Sequence, residues 1–466
     1  MMSASATNHT PVAFVADDER VHKLRILHVT DSFLPNVGGL EFSIAALARA
    51  QSSRGRVVAV VTARHPDAPD RENCEGVEVH RLPMAMSLIP GAYESRTHRF
   101  FPPVPDPFFV RAFSALLRSF RPDVIHVRGW VLYSVLGPAG RAGIPVVASA
   151  HDHSQVCATK VMLHRGQNLC SAPALGKCID CARTVYGVKG IPLVIGLHQS
   201  GSRRHRDVAV WTATSSALAA RGSAPRAVDS VTMTVIPTFI DDDLIALATD
   251  ERTAQRPDFV PATGQYIFYA GALGAHKGVD VLLDAHARLR TRGVEVPLVL
   301  AGLPRADFSV PDLPDVTVVA NVPQQQVMAG WRHAVVGVVP SVVPEGFGRV
   351  AVECLAAGTP CVVSALGGLL DIVTDGAEGL HVRPGDAEDL AGAVHRLLGD
   401  EALRSRLAAA APAKAATFVL SQVMPRVDAV YLQAIDAVAA TGMSRPKASD
   451  RSSVGNRQPT ERAVWS

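Results

Sequence analysis

The sequence predicts an α/β protein made of two Rossmann-like halves. Three observations carry that expectation. Short apolar runs alternate with amphipathic helical stretches, the alternation stops once in a polar segment around 240–265 and then resumes, and the chain has 466 residues. Chains beyond roughly 250–300 residues outgrow a single core and split into domains. Strands that alternate with helices form parallel sheets covered on both faces.

The elements follow in order. Residues 1–23 and about 443–466 are polar, rich in Ser, Arg and Pro, and lack periodicity, so both are expected as mobile tails. ILHVT (26–30) reads as a buried strand. A glycine-containing loop and a helix from Leu40 to about Gln51 come next. VVAVVTA (57–63), VIHV (124–127) and PVVASA (145–150) continue the first array. The segment 240–265 contains proline and acidic residues and is expected as the linker between domains. YIFYAGAL (266–273), VPLVLAG (296–302), VTVVANV (316–322), VVGVVPS (335–341) and TPCVVSA (359–365) form the second array, and the stretch from Asp389 to Ala440 is helical in pattern.

Composition excludes several function classes. Apolar residues make up 48% and charged residues 19%, a globular mixture. The net charge of +3 is too small and too dispersed for a nucleic-acid partner. No apolar run approaches the roughly 20 residues that span a bilayer. The start MMSASATNHTPVAFVADDER lacks a basic stretch followed by an apolar core, so it does not read as a signal peptide. A cytoplasmic location is expected, with the seven cysteines reduced.

The sharpest motif is VPSVVPEGFGRVAVECLAAGTPCVVSALGG (339–368). A strand ends at Ser341, Pro344 to Gly348 form a loop, and a helix runs from about Arg349 until Gly358 and Pro360 stop it. Gly346 and Gly348 let backbone approach a ligand closely. The helix start presents free N–H groups and a positive dipole end to phosphate or sugar hydroxyls. Glu345 stands at the mouth and Glu353 lies further into the helix. A lone glutamate would read as a surface charge. Two at the C-terminal edge of an open α/β sheet stand where ligands bind.

This segment resembles the E-x7-E signature of family-four retaining glycosyltransferases, and the resemblance extends over about residues 25–435. It implies the GT-B architecture: two Rossmann-like domains facing a central cleft, with the C-terminal helices packing back on the N-terminal domain. The expected divisions are 24–245 for the acceptor-binding domain, with a Cys-rich insertion at 151–205, and 262–415 for the nucleotide-sugar-binding domain. A helix at 416–440 would return to the first domain. The resemblance puts Glu345 by the donor sugar, the backbone of Gly346, Phe347 and Gly348 on its hydroxyls, and Glu353 on the ribose. YAGALGAHKGVDVLLDAHARL (269–289) resembles the family's G-R-L-x-x-x-K-G segment, which places Lys277 on the donor diphosphate. Ala272 stands where the family has Arg, so a bidentate clamp is missing. Arg349 is the nearby candidate to replace it. Asn321 and Val322 fall where the family holds the base by backbone contacts. The implied donor is a nucleoside-diphosphate sugar, the acceptor a hydroxyl of unidentified kind, and the chemistry needs no cofactor.

In the N-terminal half, Gly38 and Gly39 open a helix, and the family's loop there closes on the donor phosphates. His151 follows a buried strand at the sheet's C-terminal edge, where the resemblance puts it beside the anomeric centre. Cys157, Cys170, Cys178 and Cys181 are spaced C-x12-C-x7-C-x2-C. Four thiolates can close a tetrahedral zinc site, which makes a structural zinc one reading and four reduced thiols the other. The basic run Arg203, Arg204, His205, Arg206 beside an apolar segment is a candidate peripheral contact with the inner face of an anionic membrane, or a solvated turn. A non-catalytic nucleotide- or glycan-binding protein and a nucleotide-sugar epimerase stay open as alternatives to a transferase.

Overall fold

The computed structural model describes residues 19–36, 38–88, 101–166, 168–222, 232–305 and 308–441. The expected tail 443–466, and residues 1–18 of the other, lie outside them. Residues 19–22, expected as tail, instead form a short helix (Glu19–His22). Its Val21 joins the apolar cluster of the C-terminal helix, and Arg20 bonds Asp436 at 3.0 Å.

The N-terminal sheet holds β1 (Arg25–Thr30), β2 (Val57–Ala63), β3 (Arg71–Cys74), β4 (Val77–Leu82), β5 (Val124–Arg128) and β6 (Val146–Ala150). A hairpin of β7 (Leu163–His164) and β8 (Asn168–Leu169) stands apart, and β9 (Val210–Ala213) and β10 (Met233–Val235) complete the sheet. The order is β10-β9-β6-β5-β1-β2-β4-β3. Every pairing is parallel except β3 with β4 at the edge. The central strands are buried on both faces, so they read as continuous apolar runs rather than alternating ones.

The C-terminal sheet contains β11 (Ile267–Ala270), β12 (Leu298–Ala301), β13 (Val316–Val319), β14 (Val336–Val339), β15 (Cys361–Ser364) and β16 (Gly379–Val382). Its order is β13-β12-β11-β14-β15-β16, parallel throughout. β12 and β13 lie on one side of β11, and β14, β15 and β16 on the other. This reversal of strand order creates the crevice in which open α/β sheets take ligands.

Two segments connect the halves, and they run side by side. Ile240 N–H donates to the Phe418 carbonyl at 2.9 Å, and Leu420 N–H donates to the Ile240 carbonyl at 3.1 Å. The stretch 240–265, expected as linker, carries a helix (Asp242–Thr249) whose Leu244 and Ala248 are buried in the C-terminal core. Beyond Phe418 the helix Leu420–Ala440 returns to the N-terminal domain. Its Val423, Val427 and Val430 pack with Ile26, Val124 and Val147. Asp428 takes a bidentate pair from the buried Arg56 at 2.6 and 2.8 Å.

The Cys-rich insertion is less loop-like than its composition implies. Helices Leu175–Tyr186 and Gly190–Arg204 pair in it. The side chains of residues 201–205, most of the candidate membrane-facing basic run, lie outside the described ones. Among the described residues no helix is long and apolar enough to cross a membrane.

Candidate functional site

The loops after the two sheets' C-terminal edges meet. Thr214, just beyond β9, donates through Oγ1 to the Gly346 carbonyl at 2.8 Å. Ser216 N–H donates to Asp371 Oδ2 at 2.6 Å. A Cβ added to Gly346 would lie 2.0 Å from the His151 carbonyl oxygen. Glycine is therefore required at 346 because no side chain fits between the two domains.

The structure brings several expected residues together at this junction. Lys277 Nζ donates to Glu345 Oε1 at 2.8 Å, and Ser341 Oγ donates to the same oxygen. Lys277 arrives from a turn after β11, in which Gly278 takes φ +70 and packs against the Pro340 carbonyl. Burial pushes the Glu345 carboxyl upward, but Lys277 and Ser341 overcome that and hold it below its ordinary value. Glu345 is thus an ionised group neutralised by a neighbouring ammonium.

The helix Arg349–Ala356 starts from Gly348 at φ +116, where a Cβ would meet Leu369 at 2.6 Å. Phe347 turns its ring into the C-terminal core, 5.5 Å from Phe418, so only its backbone remains for a ligand. Glu353 is buried, and burial raises its carboxyl against the pull of Arg349. Arg349 Nε bonds Glu353 at 3.1 Å and lies 3.9 Å from Asp241. The candidate replacement for the missing Arg at 272 is therefore committed to carboxylates. Asn321 takes φ +53 in the loop after β13, and Val322 packs against the core there. Gly38, in the loop that follows β1, is the N-cap of the helix Gly39–Ser53.

His151 follows β6 directly. Burial, helped by the Arg128 charge, lowers its pKa to about 3, so its imidazole is neutral at physiological pH. It can take part in hydrogen bonds but holds no proton to act as a strong acid.

The cysteines need a separate account. Cys157, Cys170, Cys178 and Cys181 line one cavity of about 20 Å³. Four thiols suit zinc as a donor set, and three of the four sulfurs have hydrogen-bond partners of their own. Cys157 Sγ meets Thr159 Oγ1 at 3.2 Å, Cys170 Sγ donates to the Ala172 carbonyl at 3.5 Å, and Cys181 Sγ accepts from Arg165 N–H at 3.1 Å. Among the described residues no group of three or more His, Cys, Asp or Glu is placed to hold a metal ion.

Sequence reasoning missed several residues here. Gly367 and Gly368 buttress the Glu345 loop from behind: Gly368 N–H donates to the Glu345 carbonyl at 2.8 Å, and a Cβ on Gly367 would strike the Glu345 backbone at 2.6 Å. The paired glycines after β15 were a readable signal. Asp31 accepts from Trp130 and Val131 N–H at 3.1 and 2.7 Å and faces Lys160 at 3.8 Å. Nothing in the local sequence marks that long-range cap.

Comparison with known proteins agrees with this arrangement. The profile described as Glycosyltransferase Family 4 matches residues 37–244, and that described as Glycosyl transferases group 1 matches residues 250–414. A D-inositol 3-phosphate glycosyltransferase of Nocardiopsis dassonvillei is 34% identical over 215 residues, covering 43% of this chain but only 50% of that relative. The protein of the same description from Stackebrandtia nassauensis is 29% identical over 434 residues, covering 88% of this chain and 90% of its own. Sucrose-phosphate synthase from Thermosynechococcus elongatus has the same fold, with a TM-score of 0.67 at 21% identity over 89% of this chain and 100% of its own. Anabaena HepE in complex with UDP follows at 0.60 and 18% identity, over 87% and 98%. Two profiles that between them span both domains, two doubly wound sheets meeting at their C-terminal edges, and an E-x7-E helix at the junction agree: the chain belongs to the family-four glycosyltransferases of the GT-B fold.

Proposed function

We propose that this chain transfers a glycosyl unit, with retention, from a nucleoside-diphosphate sugar to a hydroxyl acceptor held between the domains. The observation that carries the reading is the Lys277–Glu345 pair at the glycine-lined mouth of the helix Arg349–Ala356, beside His151 across the junction. In this reading Glu353 binds the ribose. Lys277 and the helix N-terminus stabilise the leaving diphosphate, where charge develops. Ionised Glu345 holds Lys277 in place and receives donor hydroxyls. Neutral His151 orients the acceptor hydroxyl, which attacks from the face the diphosphate leaves. Anabaena HepE has been solved with UDP and with UDP-glucose, which supports a uridine nucleotide as the first donor to try. The relatives' names make inositol 3-phosphate the first acceptor to try. The test is incubation of the purified chain with UDP-glucose and D-inositol 3-phosphate, then with wider panels of each. Product with the donor's anomeric configuration supports the reading. Inverted product, or an epimerised sugar in its place, overturns it.

A further inference from the structure

One face of the N-terminal sheet carries a buried polar network that the reaction above does not use. Register places His28 of β1 opposite His126 of β5, and Thr30 opposite Arg128. All four are buried, and they lie beneath the helices Gly39–Ser53 and Leu420–Ala440. Arg128 donates to His28 Nδ1 at 3.1 Å and to His126 Nδ1 at 3.3 Å. A guanidinium has no acceptor, so both Nδ1 atoms must be unprotonated. The other ring nitrogens then donate, His28 to Gln51 at 2.8 Å and His126 to Ser149 at 2.6 Å.

The hydrogen bonds of Arg128 fall short. Tyr431 OH already lies 2.8 Å from His126 Nδ1, whose single lone pair serves one donor well. Five guanidinium N–H groups therefore share one good acceptor, and Nε has no partner at all. The polar groups around the cation are the neutral imidazoles of His28 and His126 and the Tyr431 phenol, with no carboxylate among them. Burial lowers its pKa to about 10, which leaves it charged at neutral pH. A buried cation without a counterion is costly unless something completes it. A second, independent observation lies directly opposite: the Thr30 hydroxyl is fully buried and makes no hydrogen bond. Both residues end their strands at the C-terminal edge, the ligand-binding edge of such a sheet. The field of Arg128 reaches His151 there.

We propose that Arg128 and Thr30 form an oxyanion subsite that receives a phosphate oxygen of a ligand in the cleft. The inference rests on the transferase reading. The phosphate belongs either to the donor diphosphate or to a phosphorylated acceptor, and both carry the chemistry that a guanidinium fork and a hydroxyl recognise. In either case the ligand supplies the missing counterion and lies beside His151.

The experiment compares wild type with Arg128→Met, Arg128→Lys and Thr30→Val in calorimetric titrations of UDP, uridine, D-inositol 3-phosphate and inorganic pyrophosphate, with a thermal melt of each variant. Arg128→Met should weaken at least one phosphate ligand tenfold or more and leave uridine unchanged. Arg128→Lys should recover part of the loss, and Thr30→Val should lose less than Arg128→Met. Loss confined to UDP and pyrophosphate assigns the subsite to the donor. Loss confined to inositol 3-phosphate assigns it to the acceptor. Arg128→Met should also melt no lower than wild type, since it removes an uncompensated charge, whereas a merely structural arginine would lower the melt. Unchanged phosphate affinities in Arg128→Met overturn the subsite and leave the transferase reading standing. A wild type that binds none of the phosphate probes overturns both.

Discussion

At the scale of single residues, buried ionisable groups decide the behaviour. Glu353→Ala removes a charged acceptor assigned to the ribose, and such a bond is worth about 1.5–3 kcal/mol. Donor affinity should fall about ten- to a hundredfold in calorimetry, and unchanged affinity would remove Glu353 from the site. The histidines make a second prediction. Burial lowers His28 and His151 to about 3 and His153 to about 4, and places His126 well below its ordinary value. Below pH 6.5 the unfolded chain takes up protons that these rings refuse in the fold. Their stabilisation is therefore complete above pH 6.5 and lost as pH falls toward 4, by up to about 1.4 kcal/mol per pH unit for each ring. Glu353 and Asp31, raised by burial, act in the opposite sense but are outnumbered. The melting temperature should drop steadily from pH 6.5 to 5, and a flat profile would contradict the neutral network. Glu345, Glu353, Lys277 and His151 were legible because each is fixed by its distance from a strand end or a glycine turn. Arg128, Thr30 and Asp31 were not, because their meaning comes from strands that are neighbours only in the folded sheet.

At the scale of elements, the helix Leu420–Ala440 ties the chain's end to its first domain. Asp428→Ala leaves Arg56 buried and unpaired, and breaking such a pair costs about 3–5 kcal/mol. A large drop in the denaturant midpoint should follow, and a loss within error would mean that the pair contributes little. The periodicity of this helix was readable, as were the long apolar strands of both sheets. The helix Asp242–Thr249 was hidden because three acidic residues and a nearby proline resemble a linker. Its apolar face has a meaning only against the C-terminal core. The cysteines show the reverse case. Their spacing suggests a zinc ligand set, but Cys157, Cys170 and Cys181 turn to other partners. This placement predicts less than a tenth of an equivalent of zinc or iron by elemental analysis of untagged protein. A full equivalent would show that the thiols rotate inward around an ion.

At the scale of the whole molecule, the proposed transfer requires the two sheets to meet at their C-terminal edges. Gly346→Ala puts a methyl group into the His151 carbonyl and should push the domains apart. On the proposed reading, which puts most donor contacts in the C-terminal half, UDP binding should persist within about tenfold, while transfer falls far more. Equal loss of both would mean that position 346 matters only for the donor pocket. The two-array organisation was legible from the broken alternation of strands and helices. The contact between the arrays was not, because Thr214, Ser216, Gly346 and Asp371 lie far apart in sequence and carry no shared pattern. On the proposed reading glycosyl transfer occurs at the junction of Lys277, Glu345 and His151. The most direct measurement is release of nucleoside diphosphate from a nucleotide sugar in the presence of acceptor, for wild type, His151→Ala and Glu345→Gln, with melts recorded in parallel. Wild type should turn over, and both variants should lose at least a hundredfold at nearly unchanged melting temperature. Wild-type rates in both variants would contradict it.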